Sequence, residues 1–250
     1  MKYGIICAMP EEIDLLKKDI KAKTTEVIGN REFIAGSLYD SDVILVMSRI
    51  GKVAATITAT ILIERFKVDA IIFSGTAGGI SHELSVGDVV ISDYCVQHDF
   101  DAKMDVSFNI PLINIAYFKA DEALTGMAVD AVSDYIDNKY KVDVPKKYLD
   151  EFNIKTPKLV VGTIASGDQF ICENDKKAWL LDNVDNLKCV EMEGAAVAQV
   201  CFEFSVPFTI IRVISDSADE GSTVDFNLFV REAACHFTRG TIRAFFKAKN

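Results

Sequence analysis

VILVMSRIGKVAATITATILIERFKVDAIIFSGTAGG, residues 43–79, decides the fold. Val43–Ser48 and Ala70–Ser74 are apolar runs of strand length, with no polar residue at alternate positions. Strands of that kind are buried on both faces, which predicts a sheet covered by helices on each side. Lys52–Phe66 reads as a long helix between them. A strand–helix–strand order of this length is a parallel crossover.

The same alternation extends outward in both directions. Tyr3–Ala8 reads as a strand, and Met9-Pro10 turns it into a helix, since proline suits the first helical position. Ile13, Leu16 and Ile20 share one face of that helix. Val86–Ser92, Leu159–Ser166, Lys188–Met192 and Phe208–Ser215 read as further strands. Asp121–Ile136, with Leu124, Ala128 and Val132 on one stripe, Gly194–Phe204 and a closing Phe226–Lys249 read as helices. Arg239, Arg243 and Lys247 recur at helical spacing near the end and read as a solvated face complementing the helix dipole. Asn138–Lys158 is lysine-rich, carries two prolines and reads as a surface excursion. The expected architecture is α/β: a single three-layer α/β/α domain over residues 1–250 with a central mixed, mostly parallel sheet.

Composition excludes several function classes. The chain has 27 basic and 37 acidic residues, a formal net charge of −10. Neutralising phosphates requires a basic face, so nucleic acid and anionic membrane surfaces are disfavoured as partners. No apolar run approaches the roughly 18 residues of a membrane span. The first apolar run meets Glu11 and Glu12 too soon to be a secretory signal, so a cytoplasmic protein is expected. The six cysteines form no C-x-x-C pair and read as buried, reduced thiols. His82, His98 and His236 stand apart with no second ligand at metal-binding spacing, so no metal is expected.

In an open α/β sheet, ligands bind beyond the carboxyl ends of the strands. Four of the five informative ends carry carboxylates: Glu11 and Glu12, Asp168, Glu191 and Glu193, and Asp216 and Asp219. Any one could be a helix cap. Several at one rim suit a division of acid and base roles. The fifth end, Gly75-Thr-Ala-Gly-Gly79, lacks both the G-x-G-x-x-G spacing and the P-loop lysine. Glycine there means either close approach of backbone to a ligand or a tight turn.

Seven segments in order carry a resemblance: Gly4–Glu12, Ile50–Ala55, Gly75–Gly79, Val86–Ser92, Ser166–Ile171, Val190–Ala196 and Arg212–Asp219. Together they resemble the 5′-methylthioadenosine/S-adenosylhomocysteine nucleosidases of the purine nucleoside phosphorylase and hydrolase superfamily. The stretch from Asp99 to Lys158 matches poorly. The resemblance implies hydrolysis of an adenine nucleoside, with no cofactor and with a homodimer as the working unit. It implies that Glu12 activates water, Asp216 protonates adenine N7 and Glu193 holds the ribose hydroxyls. Met192 would pack under the ribose with Met9 and Ile50 nearby, and Phe226 would sit near the ribose and 5′ group. Phe170 would stack on adenine while the Ile171 backbone bonds its edge. Thr76, Ala77 and Gly78 would line the substrate, and Arg212 and Ser215 would support Glu12 and Asp216. This division suits the chemistry, because breaking an N-glycosidic bond puts positive charge on the sugar and negative charge on the base.

The chain departs from the family pattern at Pro10, Arg49, Phe73-Ser74, Thr76 and Gln169. Arg49 matters most, since a cation beside Ile50 either reaches the pocket or points to solvent. The 5′ side is nominated to Phe108–Pro111, with part of it expected from a partner subunit. Three rivals stand beside this reading: a phosphate-dependent phosphorylase, an aminofutalosine nucleosidase and a non-catalytic nucleoside binder. Phosphate binding favours arginine, and Ile72-Phe73-Ser74 before Gly75 supplies none. Glu12, Glu193 and Asp216 are all present, which disfavours the inactive binder.

Overall fold

Strand β1 (Lys2–Cys7) lies at the centre of a ten-stranded sheet in the computed structural model. The structure describes residues 1–103, 107–218 and 222–248, and side chains there except those of residues 222–225. Asp219, which closes the last of the seven segments, and Lys249 fall outside the described residues.

Helix α1 (Pro10–Asp19) follows β1 directly. Strands β2 (Lys21–Ile28) and β3 (Arg31–Leu38) form a hairpin that pairs antiparallel with β4 (Ser41–Met47). Helix α2 (Lys52–Glu64) then crosses to β5 (Ala70–Gly79), and β1 runs parallel to both β4 and β5. The chain continues through β6 (Val89–Gln97), β7 (Tyr117–Lys119), α3 (Glu122–Asn138), α4 (Tyr140–Asp143), α5 (Lys146–Glu151), β8 (Leu159–Ser166) and α6 (Asn174–Asn183). It ends with β9 (Leu187–Glu191), α7 (Gly194–Phe204), β10 (Phe208–Asp216), α8 (Ser222–Phe229), a π-helical turn at Val230–Ala234 and α9 (Cys235–Ala248).

Alternation within the buried strands assigns their side chains to two cores. Tyr3, Ile5, Leu45 and Ile72 pack with Ile13 and Leu16 of α1, Leu124 and Val132 of α3 and Phe245 of α9. Ile6, Ile44, Val46, Ile71 and Phe73 face the other way, onto Ala55 and Leu62 of α2 and Ala195 and Ala198 of α7. This period of two sandwiches the parallel centre between helices, as the apolar runs require.

The sheet is not open along its whole length. Strand β10 pairs in parallel with β5 and antiparallel with β6. The path from β6 through β8 and β9 returns to β5, so five strands close into a ring. The glycine segment Gly75–Gly79, expected as a loop, is the last half of β5 and part of that ring.

Three further expectations are corrected. Asn138–Lys158 is not only a surface excursion, because Tyr140, Val144, Leu149 and Ile154 bury their side chains in the first core. Arg239 and Arg243 are not a free solvated face: Arg239 makes a two-point ion pair with Asp19, and Arg243 pairs with Asp143. Each arginine finds a carboxylate from an element packed beside α9. The closing helix is interrupted, with the π turn separating the segment that carries Phe226 from α9.

Candidate active site

Glu12 is placed by the first turn of α1. Pro10 opens the helix, and Glu12 at its third position reaches back to its N-terminus. One carboxylate oxygen accepts from the Ala8 and Met9 amides at 2.9 and 3.1 Å. The other accepts from the Thr76 amide and hydroxyl at 2.8 and 3.1 Å. The side chain is buried, which raises its pKa, while the Arg212 charge and these amides pull it down; burial wins.

Gly75 is what makes room for this arrangement. It lies opposite Arg212 on β10. A Cβ there would sit 2.4 Å from Arg212 Nη1 and 2.7 Å from Glu12 Oε1. The glycine therefore serves neither a turn nor a ligand; it lets a buried cation and a buried carboxylate approach the strand.

Arg212 is fully buried and stacks on Phe73, its guanidinium carbon 4.1 Å from the ring centre. It is ion-paired with Glu191 and lies 3.9 Å from Glu193 Oε2. Burial pulls its pKa down, but Glu191, Glu193 and Glu12 hold it raised. Glu193 has the reverse balance. Burial and the Glu191 charge push its carboxyl up, against Arg212 and the Gly51 amide, which donates to Oε1 at 2.7 Å.

Asp216 ends β10 at a bulge, where the register to β5 slips between Ile214 and Asp216. Bulges re-aim side chains, and here one turns Asp216 toward Gly78. Its Oδ1 accepts from the Ala218 amide at 2.9 Å, and Oδ2 lies 2.7 Å from Ser215 Oγ.

These groups surround a single cavity. Thirteen of the residues assigned from sequence line it: Glu12, Glu193 and Asp216; Met9 and Ile50; Thr76, Ala77 and Gly78; Phe170, Ile171 and Met192; Arg212 and Phe226. Ser215 does not, and sits behind Asp216 with its hydroxyl also 3.2 Å from the Ala77 carbonyl. Phe170 and Phe226 meet edge to face across the mouth, ring centres 5.4 Å apart.

Arg49 turns away from the cavity. It is exposed and donates to the Asn30 carbonyl at 2.7 Å. Phe108–Pro111 also lies outside it. Phe108 packs edge-on to Trp179, ring centres 6.0 Å apart, in a neighbouring pocket that shares Gln169 with the main one.

Glu191 stands among the rim carboxylates in the sequence but receives no role there. It accepts from the Glu193 and Gly194 amides, closing the N-terminus of α7, and from the Ser166 hydroxyl. The usable signal was Arg212. An arginine inside an apolar strand needs a buried carboxylate, and Glu191 ends the neighbouring apolar run.

The cavity wall thus holds four carboxylates, Glu12, Glu191, Glu193 and Asp216, and Arg212 is the one cation among its described residues. Arg212 is already paired with Glu191, so the described wall offers no free cation to an incoming anion.

A family model described as "Phosphorylase superfamily" matches residues 2–247. A 5′-methylthioadenosine/S-adenosylhomocysteine nucleosidase of Bacillus licheniformis is 39% identical over 245 residues, covering 97% of each chain. Among solved structures, the nucleosidase of that name from Colwellia psychrerythraea, in complex with adenine, superposes with a TM-score of 0.87 at 32% identity. It covers 99% of this chain, which covers 95% of it. The Streptococcus pneumoniae nucleosidase with the transition-state inhibitor MT-ImmA gives 0.86 at 30% identity over all of both chains.

Proposed function

Since the chain belongs to the phosphorylase superfamily, we propose that it hydrolyses the N-glycosidic bond of 5′-methylthioadenosine and S-adenosylhomocysteine, releasing adenine and the 5′-thioribose. The observation that carries this reading is that one cavity wall gathers Glu12, Glu193 and Asp216, while its one described arginine is already paired. Adenine lies against Phe170 with its edge on the Ile171 backbone. Asp216 gives its proton to N7, so the base leaves neutral. Glu193 takes the ribose hydroxyls, Met192 packs beneath the sugar, and Thr76, Ala77 and Gly78 form the wall behind it. Met9 and Ile50 lie near the ribose beside Met192, and Phe226 sits near the ribose and 5′ group. Positive charge building on the sugar is stabilised by the surrounding carboxylates. Glu12 takes a proton from the attacking water, and its four donors hold the carboxylate in place.

A phosphorylase would need a cation free to meet phosphate. Arg212 is engaged by Glu191, and Arg49 faces Asn30. Adenine release from 5′-methylthioadenosine, assayed with and without phosphate, tests the choice. Equal rates and free methylthioribose are expected; a phosphate requirement with a sugar 1-phosphate product would overturn it. Aminofutalosine, run beside it, should be the poorer substrate.

The protein works as a homodimer in this reading. Ile50, which lines the cavity, and Val53 and Ile57 of α2 are 56%, 71% and 41% exposed. An apolar patch there suits a second copy of the chain that shields the 5′ side. Sedimentation at micromolar concentration should show a dimer, and Val53→Lys should yield monomers with weakened substrate binding. Full activity from a monomeric wild type would refute this. Six unpaired cysteines, four of them buried, fit the cytoplasm as its compartment.

A further inference from the structure

The N-terminus of α2 offers two consecutive backbone amides, and a different carboxylate takes each. Gly51 N–H donates to Glu193 at 2.7 Å, and Lys52 N–H donates to Asp168 Oδ1 at 2.8 Å. No side chain of α2's own segment caps these groups. Gly51 is suited to the place twice over. Its φ is +98°, and a Cβ there would come within 3.0 Å of Asp168 Oδ1.

The Lys52 side chain then folds back on the same assembly. Its ammonium lies 2.5 Å from Asp99 Oδ1 and 3.1 Å from Gln97 Oε1. The other Asp99 oxygen accepts from the Asp168 amide at 2.9 Å. Lys52, Asp99 and Asp168 therefore form a closed circuit, tying together the segments that follow β4, β6 and β8. The Lys52 and Asp99 side chains are only 17% and 15% exposed, so solvent screens their attraction less than it screens a surface pair.

The circuit touches two sides of the cavity at once. Through the Gly51 amide it fixes Glu193, and through the Asp168 backbone it fixes the turn into Phe170 and Ile171. We propose that Lys52, Asp99 and Asp168 are positioning residues, whose circuit sets the distance between the ribose-binding carboxylate and the adenine-binding face. This rests on the nucleoside-hydrolase reading of the same cavity. None of the three lines the cavity, so they act through Glu193 and Phe170. A misplacement of about 1 Å at such a site can cost about a hundredfold in rate.

The test is a mutant cycle with two readouts. Asp168→Ala should lower kcat/KM about 30-fold, mainly through KM, and in a Glu193→Ala background the same change should cost only about tenfold, the share carried by the adenine face. Asp168→Asn keeps an acceptor for the Lys52 amide and should stay within about threefold of wild type. Calorimetric titration with adenine should show affinity reduced about tenfold by Asp168→Ala and largely kept by Asp168→Asn. An undiminished 30-fold loss in the Glu193→Ala background, or unchanged KM and adenine affinity, would overturn the proposal. A wild type that binds adenine yet releases none from 5′-methylthioadenosine would overturn the functional reading instead, and the adenine titrations would still decide the circuit.

Discussion

Asp216→Asn should lower the rate of adenine release about a thousandfold while leaving the affinity for adenine within a few-fold of wild type. The asparagine is the same size and keeps an oxygen for the Ala218 amide, which now donates to Asp216 Oδ1 at 2.9 Å. Its amide nitrogen can face Ser215 Oγ, 2.7 Å from the present Oδ2. What it lacks is a proton to give to a departing base at neutral pH. Adenine must then leave as an anion, and the cost falls on kcat. Single-turnover release of adenine, with adenine binding measured separately, resolves the two quantities. Turnover close to wild type would remove Asp216 from the proton-donor role. Loss of adenine affinity in step with rate would make it a binding residue.

Glu12→Gln should also reduce hydrolysis about a hundred- to ten-thousandfold, by removing the base that activates water. This variant carries a structural cost that Asp216→Asn does not. Both Glu12 oxygens accept backbone amides, from Ala8 and Met9 on one side and Thr76 on the other. Glutamine must turn its NH₂ toward one of them, leaving a buried donor facing a donor, at a cost of about 1–3 kcal/mol. The pH dependence of stability separates the two effects. Burial raises the Glu12 pKa in the folded protein. Between the ordinary carboxylate value and the raised one, the folded state therefore holds more protons than the unfolded state. Stability from this group is fully present at low pH and is lost as pH rises through that window. Glu12→Gln should melt lower overall but show a shallower decline in midpoint as pH rises above the ordinary carboxylate range. Glu193, raised for a similar reason, retains part of the slope. An identical slope in both proteins would mean that burial does not raise the Glu12 carboxyl.

The sandwich and the groups at its rim were legible in the sequence because each signal was local. Residues 43–79 display a crossover within a single stretch, and Glu12, Glu193 and Asp216 each lie within a few residues of the end of an apolar run. The β2–β3 hairpin was passed over although it has a local mark: Gly29 and Asn30, both at positive φ, form its two-residue turn. Strand β2 is exposed almost throughout and has no apolar face to show. Helix α6 was missed for a related reason, since it buries only Leu180. The ring closure, the Glu191–Arg212 pair and the Lys52–Asp99–Asp168 circuit depend on contacts between distant segments, which no window of sequence displays. Arg239 and Arg243 were misread for the same reason, their carboxylates lying far away in the chain.

The five-stranded ring also governs when the protein can first become an enzyme. Its closing member, β10, is wedged between β5 and β6, both made long before it. Arg212 and Asp216 arrive on that strand, so a ribosome must release nearly the whole chain before the acid and the buried cation meet Glu12. Until then β5 and β6 offer unpaired edges, and Glu12 lacks the counter-charge that offsets its burial. Assembly driven by such remote pairing is slow. A chain truncated before Phe208 should therefore be an unclosed, aggregation-prone species rather than a weak nucleosidase.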